Sequence, residues 1–309
     1  MGSRSSVAPV VRGRRGRTRS VAEVQRGRYP KSRTARSIAL RRDGHAIRPV
    51  FCRISTGPSS KAGRGRSVTQ PQLWTGVGRT ETGHVRVSNQ DALALLNDCG
   101  VWIVADGMGG HPAGDLAAQT AVAVASQRAR ERAPWLREHP SGAAEFVADL
   151  VISANRRIHD LILAKPSLQG MGTTFVALAI TPASMPFAHI AHLGDSRAYL
   201  YRMGQLKQLT RDHTLVEKWV QRGQIDAATA LTHPERHILT KGLGMEVDMK
   251  PELTSTPVTP HDLFMLCSDG LTKMLEDAAI ASILSRADGD PHRACHDLIE
   301  QALSRGGED

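Results

Sequence analysis

The sequence predicts an α+β protein, because its strand-like segments are grouped between pairs of helix-like segments. A doubly wound α/β sheet would instead alternate strand and helix along the chain. A second observation is that ordered patterning begins only near Leu73. Before it, residues 1–72 are rich in Arg, Ser and Gly and show no sustained helical or strand period. From Leu73 on, short strand-like segments flank Gln90 and Asp91 and end in the apolar run Val101-Trp102-Ile103-Val104-Ala105, which reads as a buried strand. An Ala-rich helix follows over 113–132, with Asp115 near its positive N-terminal end. Phe146, Leu150, Val151, Ala154, Ile158, Leu161 and Ile162 recur at helical spacing and predict a second helix. Three strand candidates come next, at 173–180, 187–193 and 197–202, then helical, loop-rich sequence over 213–245. A strand at 262–267 and helices at 277–286 and 291–304 complete the pattern. No internal repeat is visible.

Charge separates the same two parts. The 309 residues carry a formal charge of +10, but residues 1–70 hold 18 Lys or Arg against Glu23 and Asp43 alone. The rest has 22 basic and 28 acidic residues and is mildly acidic. A segment this charged and poor in large apolar residues is expected to stay disordered. Nucleic-acid binding, an organelle-targeting role and, from Met1-Gly2 with Ser6, myristoylation are each compatible with it. A solvated extension, or a start codon placed too far upstream, is the preferred reading, and no interleaved aromatics support base stacking. The sequence thus divides into a basic extension, 1–72, and a domain, 73–309. Four cysteines without CxxC spacing point to reduced thiols. No apolar run approaches the roughly 20 residues that span a bilayer, and no secretory signal is visible, so a cytoplasmic protein is expected.

Asp106-Gly107-Met108-Gly109-Gly110-His111 follows the buried strand at 101–105, and Ser268-Asp269-Gly270 follows a second apolar strand. A carboxylate at a strand end beside closely approachable glycine backbone presents oxygen ligands to a hard divalent cation. Two such units, far apart in sequence, suggest one shared metal site. Histidines are not gathered at metal-ligand spacing, and oxygen donors suit Mg2+ or Mn2+ better than zinc.

With Arg86-Val87-Ser88-Asn89-Gln90-Asp91, Gly172-Thr173-Thr174 and Gly194-Asp195-Ser196-Arg197, these motifs occur in an order that resembles the metal-dependent protein Ser/Thr phosphatases of type 2C, in their compact bacterial form. A flap-like sequence, Leu209-Thr210-Arg211-Asp212-His213 to His233-Pro234, lies between the fourth and fifth motifs. The resemblance covers 73–309. It implies a four-layer αββα sandwich, two central antiparallel sheets flanked by helix pairs, with the metals at one end. It also implies hydrolysis of phosphoserine or phosphothreonine by water activated between two Mn2+ or Mg2+ ions, attacking in line without a phosphoenzyme.

Carried over residue by residue, Asp106 bridges the two ions and the Gly107 carbonyl binds the second, a side chain there crowding its approach. Asp269 and Asp309 bind the first ion, Asp91 lies near the second through water, and Asp195 belongs to a weaker third. Arg86 holds the phosphoryl group; a planar guanidinium grips two of its oxygens. Departures are also present. Gln90 replaces a common Glu, and Lys273 stands where relatives often carry an acid and opposes a third ion. Met108 cannot serve as the proton donor that eukaryotic members place there, and His111 is read as a local contact. An Asn and an apolar strand that follow in the family are not found after Asp309, so one sheet is expected to lack a strand. The expected partners are a bacterial Ser/Thr kinase and its phosphorylated targets. The competing function is a pseudophosphatase, a regulatory phosphoprotein-binding module on the same fold.

Overall fold

The structure, a computed structural model, describes residues 49–54 (backbone only), 74–84, 88–108, 113–181, 183 and 185–307. All of them lie within one unit, Asp43–Asp309. Ten strands form two antiparallel five-stranded sheets. The strands are β1 Pro49–Ile54, β2 Trp74–Gly78, β3 Asp91–Leu96, β4 Val101–Asp106, β5 Phe175–Ile180, β6 Phe187–Leu193, β7 Arg197–Arg202, β8 Gln205–Gln208, β9 Glu252–Pro257 and β10 Leu263–Cys267. One sheet runs β2-β1-β10-β7-β8 and the other β3-β4-β5-β6-β9. The helices are α1 Gly114–Glu138, α2 Ala143–Ala164, α3 Leu215–Gln221, α4 Ala227–Thr232, α5 Asp269–Thr272, α6 Asp277–Arg286 and α7 Pro291–Ser304.

Strand alternation builds three cores, and these define the four layers. Along β4, Val101, Ile103 and Ala105 face α1 and α2, where they meet Ala118, Ala121, Phe146, Leu150 and Ile158. Trp102 and Val104, one residue out of phase, join Phe264 and Leu266 of β10 between the sheets. The other β10 parity, Leu263, Met265 and Cys267, packs on Ile280, Ile283, Leu298 and Ile299 of α6 and α7. Burying each such large side chain stabilises by about 1.5–3 kcal/mol. Small residues let α1 lie close to the layer beneath it: Ala117, Ala121, Ala125 and Ala129 recur every four residues on its buried face. Asn97 ties the sheets together, its Oδ1 accepting from both Trp102 Nε1 and the Gly76 N–H at 2.8 Å each. The αββα sandwich expected from the resemblance is therefore what the chain forms.

One expectation fails. Residues 49–54 form β1, inside the stretch read as an unstructured extension. β1 is not an edge: it pairs antiparallel with β2 on one side and with β10 on the other. The physical reason is local. Val50, Phe51, Cys52 and Ile54 are apolar β-formers between Pro49 and Gly57-Pro58, a run too short to stand out among flanking arginines. The sheet that holds β1 has five strands. Among the described residues no helix is long and apolar enough to cross a membrane.

Candidate active site

β3 and β4 bring the first two acids together. Asp91, the first residue of β3, is the register partner of Asp106, the last residue of β4. The turns around them are tied through their backbone N–H groups. The Gly107 N–H donates to the Gln90 carbonyl at 2.9 Å, and the Asp91 N–H donates to Asn89 Oδ1 at 2.9 Å. Thr173 and Thr174 hold the backbone of Asp106. Thr174 Oγ1 accepts the Asp106 N–H at 3.0 Å, and the Thr174 N–H (2.8 Å) and the Thr173 hydroxyl (2.8 Å) both donate to its carbonyl. Thr174 Oγ1 also meets Ser196 Oγ at 2.7 Å, linking β4 to the Gly194–Asp195 turn.

Packing gives a second reason for glycine at 107. A Cβ there would lie 2.3 Å from the Gly114 carbonyl oxygen and 2.7 Å from that of Gln90. The glycine is required by the close approach of its own neighbours, the start of α1 and the turn before β3. Met108 turns inward, its N–H donating to the Gly172 carbonyl at 3.1 Å.

The second sheet joins this end through β10. Ser268, the residue after β10, donates its hydroxyl to Asp91 Oδ2 at 2.8 Å. Asp269 then opens α5. Its Oδ2 meets Lys273 Nζ at 2.6 Å, while Oδ1 is buried with no hydrogen-bond partner. Asp195 faces the same region. Burial first, then the charges of Asp269 and Asp212, push its carboxyl up to about 8. Two carboxylates so placed repel one another unless a cation stands between them.

The flap is anchored beside Asp195. The Gly194 N–H donates to His213 Nδ1 at 3.2 Å, so the proton of that ring sits on Nε2, 3.3 Å from Glu252 Oε2. His213 stacks flat on His192, with centroids 4.6 Å apart. Burial is the main cause lowering both rings from the ordinary imidazole value, His213 to about 4. Arg197, from the same motif as Asp195, grips Asp212 with three hydrogen bonds, at 2.7, 2.9 and 3.1 Å. Beyond the flap, the buried Asn155 amide of α2 bonds to the backbone of Gly244, Glu246 and Val247 at 2.8–2.9 Å.

Of the residues singled out from sequence, the structure thus places Asp91, Asp106 and Gly107 at one sheet end. Asp269 and Asp195 lie beside the strand end that Ser268 ties to it. Arg86 and Asp309, with Gly109, Gly110 and His111, lie outside the described residues. Among the described residues no three His, Cys, Asp or Glu form a ready metal cluster. The sequence reading missed Thr173, Thr174 and Ser268 as positioning residues, although each sits inside a quoted motif. It missed the His192–His213 stack entirely, and no local pattern announces it.

A divalent cation fits these donors. They are all oxygens, Asp269 Oδ1 is buried without a partner, and Asp195 is unstable as a lone carboxylate. An αββα sandwich with acids gathered where strands of both sheets end defines the class: a phosphoester hydrolase of the oxygen-ligand type. The comparisons name the family. The Protein phosphatase 2C profile matches residues 80–297. The chain is 34% identical over 243 residues to the serine/threonine phosphatase stp of Listeria welshimeri, across 75% of this chain and 90% of that one. It is also similar to the crystal structure of the Mycobacterium tuberculosis serine/threonine phosphatase PstP/Ppp, with TM-score 0.64 and 32% identity, over 74% of this chain and 91% of that one. The catalytic domain of PstP in complex with two manganese ions matches at TM-score 0.62 and 32% identity, over 74% and 90%. The chain belongs to the protein phosphatase 2C family and is a protein-serine/threonine phosphatase.

Proposed function

We propose that this phosphatase hydrolyses phosphoserine and phosphothreonine esters with two divalent cations, Mn2+ or Mg2+, held by Asp91, Asp106, the Gly107 carbonyl, Asp269 and Asp309. The two manganese ions named in the PstP complex support this reading. Bound there, such ions supply positive charge for the phosphoryl oxygens and lower the pKa of an attacking water. The chain's own residues do the positioning. Asp106, its backbone held by Thr173 and Thr174, presents its carboxylate at a fixed point beside Asp91. Arg86 orients the phosphoryl group through two parallel N–H donors. Asp195 offers a further, weaker oxygen site. The leaving alkoxide takes its proton from water, because Met108 has none to give.

The observation that carries this reading is the 2.8 Å bond from Ser268 to Asp91, which joins the two Asp-bearing strand ends across the sheets. The phosphatase domain includes β1 and so begins by residue 49, and a cytoplasmic Ser/Thr kinase with its targets is the source of substrate. The rival reading, an inactive phosphoprotein-binding module, draws on the Lys273–Asp269 ion pair. Phosphate release from p-nitrophenyl phosphate and from a phosphothreonine peptide, with and without Mn2+, separates the two. Activity that needs Mn2+ and is lost in Asp106→Asn is expected. No turnover together with no Mn2+ uptake by calorimetry would remove the enzyme mechanism.

A further inference from the structure

Lys273 lies one helical turn after Asp269, and its backbone N–H closes that turn on the Asp269 carbonyl at 2.8 Å. Its ammonium reaches back to Asp269 Oδ2 at 2.6 Å. The two oxygens of this carboxylate are therefore unlike. One is held by a fixed monovalent cation, while Oδ1 is buried with no partner. The same ammonium also acts on Asp195, opposing the repulsion that Asp269 and Asp212 impose there. The ion pair is largely shielded, with 26% of the lysine side chain and 19% of the aspartate exposed, so solvent screens it less than a surface pair.

We propose that Lys273 is an internal counter-cation that competes with a divalent ion for Asp269. Without an ion, it holds the carboxylates of Asp269 and Asp195 close together. An ion held by Asp269 would carry the same sign of charge as this ammonium, and the flexible four-carbon stem would let Lys273 move aside. Lys273 thus sets the cation concentration at which this end of the site fills. The inference rests on the reading of Asp269 as a ligand, and it makes Lys273 a positioning residue rather than a catalytic one.

The test is Mn2+ titration by calorimetry of the metal-free full chain, with thermal unfolding of the same samples. Wild type is compared with Lys273→Gln, Lys273→Met, Lys273→Arg and Asp269→Asn. Removing the charge in Lys273→Gln or Lys273→Met is expected to tighten Mn2+ binding about tenfold, because the ion then meets no like charge beside Asp269. The metal-free melting temperature falls in the same two variants, and Lys273→Arg keeps the wild-type affinity. Asp269→Asn loses one Mn2+. If Asp269→Asn loses its ion while both neutral variants bind Mn2+ as wild type does or more weakly, the competition is overturned and the ligand reading stands. If Asp269→Asn binds Mn2+ as wild type does, the ligand reading fails and the inference falls with it.

Discussion

The Ser268 hydroxyl donates to Asp91 across 2.8 Å, and these two residues belong to strand ends of different sheets. Their bond fixes the spacing between the Asp91–Asp106 pair and Asp269. It makes the relative placement of the sheets a property of the site as well as of the core.

Ser268→Ala removes that bond from a partly buried carboxylate, which costs about 1–3 kcal/mol. The expected result is a kcat/KM lowered roughly 10–100-fold, with the Mn2+ requirement raised, as for other residues that orient metal ligands. Steady-state kinetics across a Mn2+ series measures both. An unchanged Mn2+ dependence would show that the bond is structural only.

Gly107→Ala places a Cβ 2.3 Å from the Gly114 carbonyl. Backbone on both sides cannot yield cheaply, so overpacking costs about 1–3 kcal/mol or more. A lower melting temperature and a sharp loss of activity are expected together, read by calorimetry and phosphate release. Gly242→Ala, whose Cβ would first meet the flexible end of Met108, is a milder control because that side chain can move.

His213, held at about 4, and His192, also lowered, are neutral when folded. Each returns to its ordinary value of 6.5 on unfolding and gains a proton below it. The unfolded chain therefore binds more protons between pH 6.5 and about 4. Stability rises with pH across that window: it is complete above pH 6.5 and is lost as pH falls towards 4. Glu252, lowered chiefly by its bonds to His213 and Arg211 against the opposing effect of burial, adds a loss of the same sign at more acid pH. Melting temperatures from pH 7.5 to 4.5 should fall more steeply for wild type than for His213→Gln. Parallel curves would refute the assignment.

Deleting residues 1–46 spares every described strand, and unfolding is expected to match that of the full chain. Deleting residues 1–56 removes β1 and leaves β2 and β10 as unpaired edges in the middle of a sheet. Loss of the cooperative transition, or aggregation, is expected. Equal melting temperatures for the two truncations would mean that β1 contributes nothing.

Much of this architecture was legible because the buried elements carry strong patterns. The apolar runs of β6 and β10 and the spacing of Leu298, Ile299 and Ala302 in α7 mark their elements plainly. The elements not foreseen are those that packing, not pattern, creates. β8 is the polar four-residue QLKQ, turned out of β7 by Met203 and Gly204, both at positive φ. β9, ELTSTP, is an edge strand with alternating exposure and few strong β-formers. Asp106 and Asp269 could be singled out because Asp-Gly after an apolar run is a local signal. Thr174, Ser268 and His213 act through partners 68, 177 and 19 residues away, and nothing local encodes such contacts.

The position of β1 has a kinetic consequence. Strands β3, β4, β5 and β6 pair each with the next along the chain, so that much of that sheet can form during synthesis from the β3–β4 and β5–β6 hairpins, joined across α1 and α2. The other sheet cannot, because Pro49 must wait for Cys267 before its ladder closes. Long-range closure of this kind slows folding. During translation the finished half therefore stands beside an open seam, and the acid from α5 reaches its place only when the late ladder shuts.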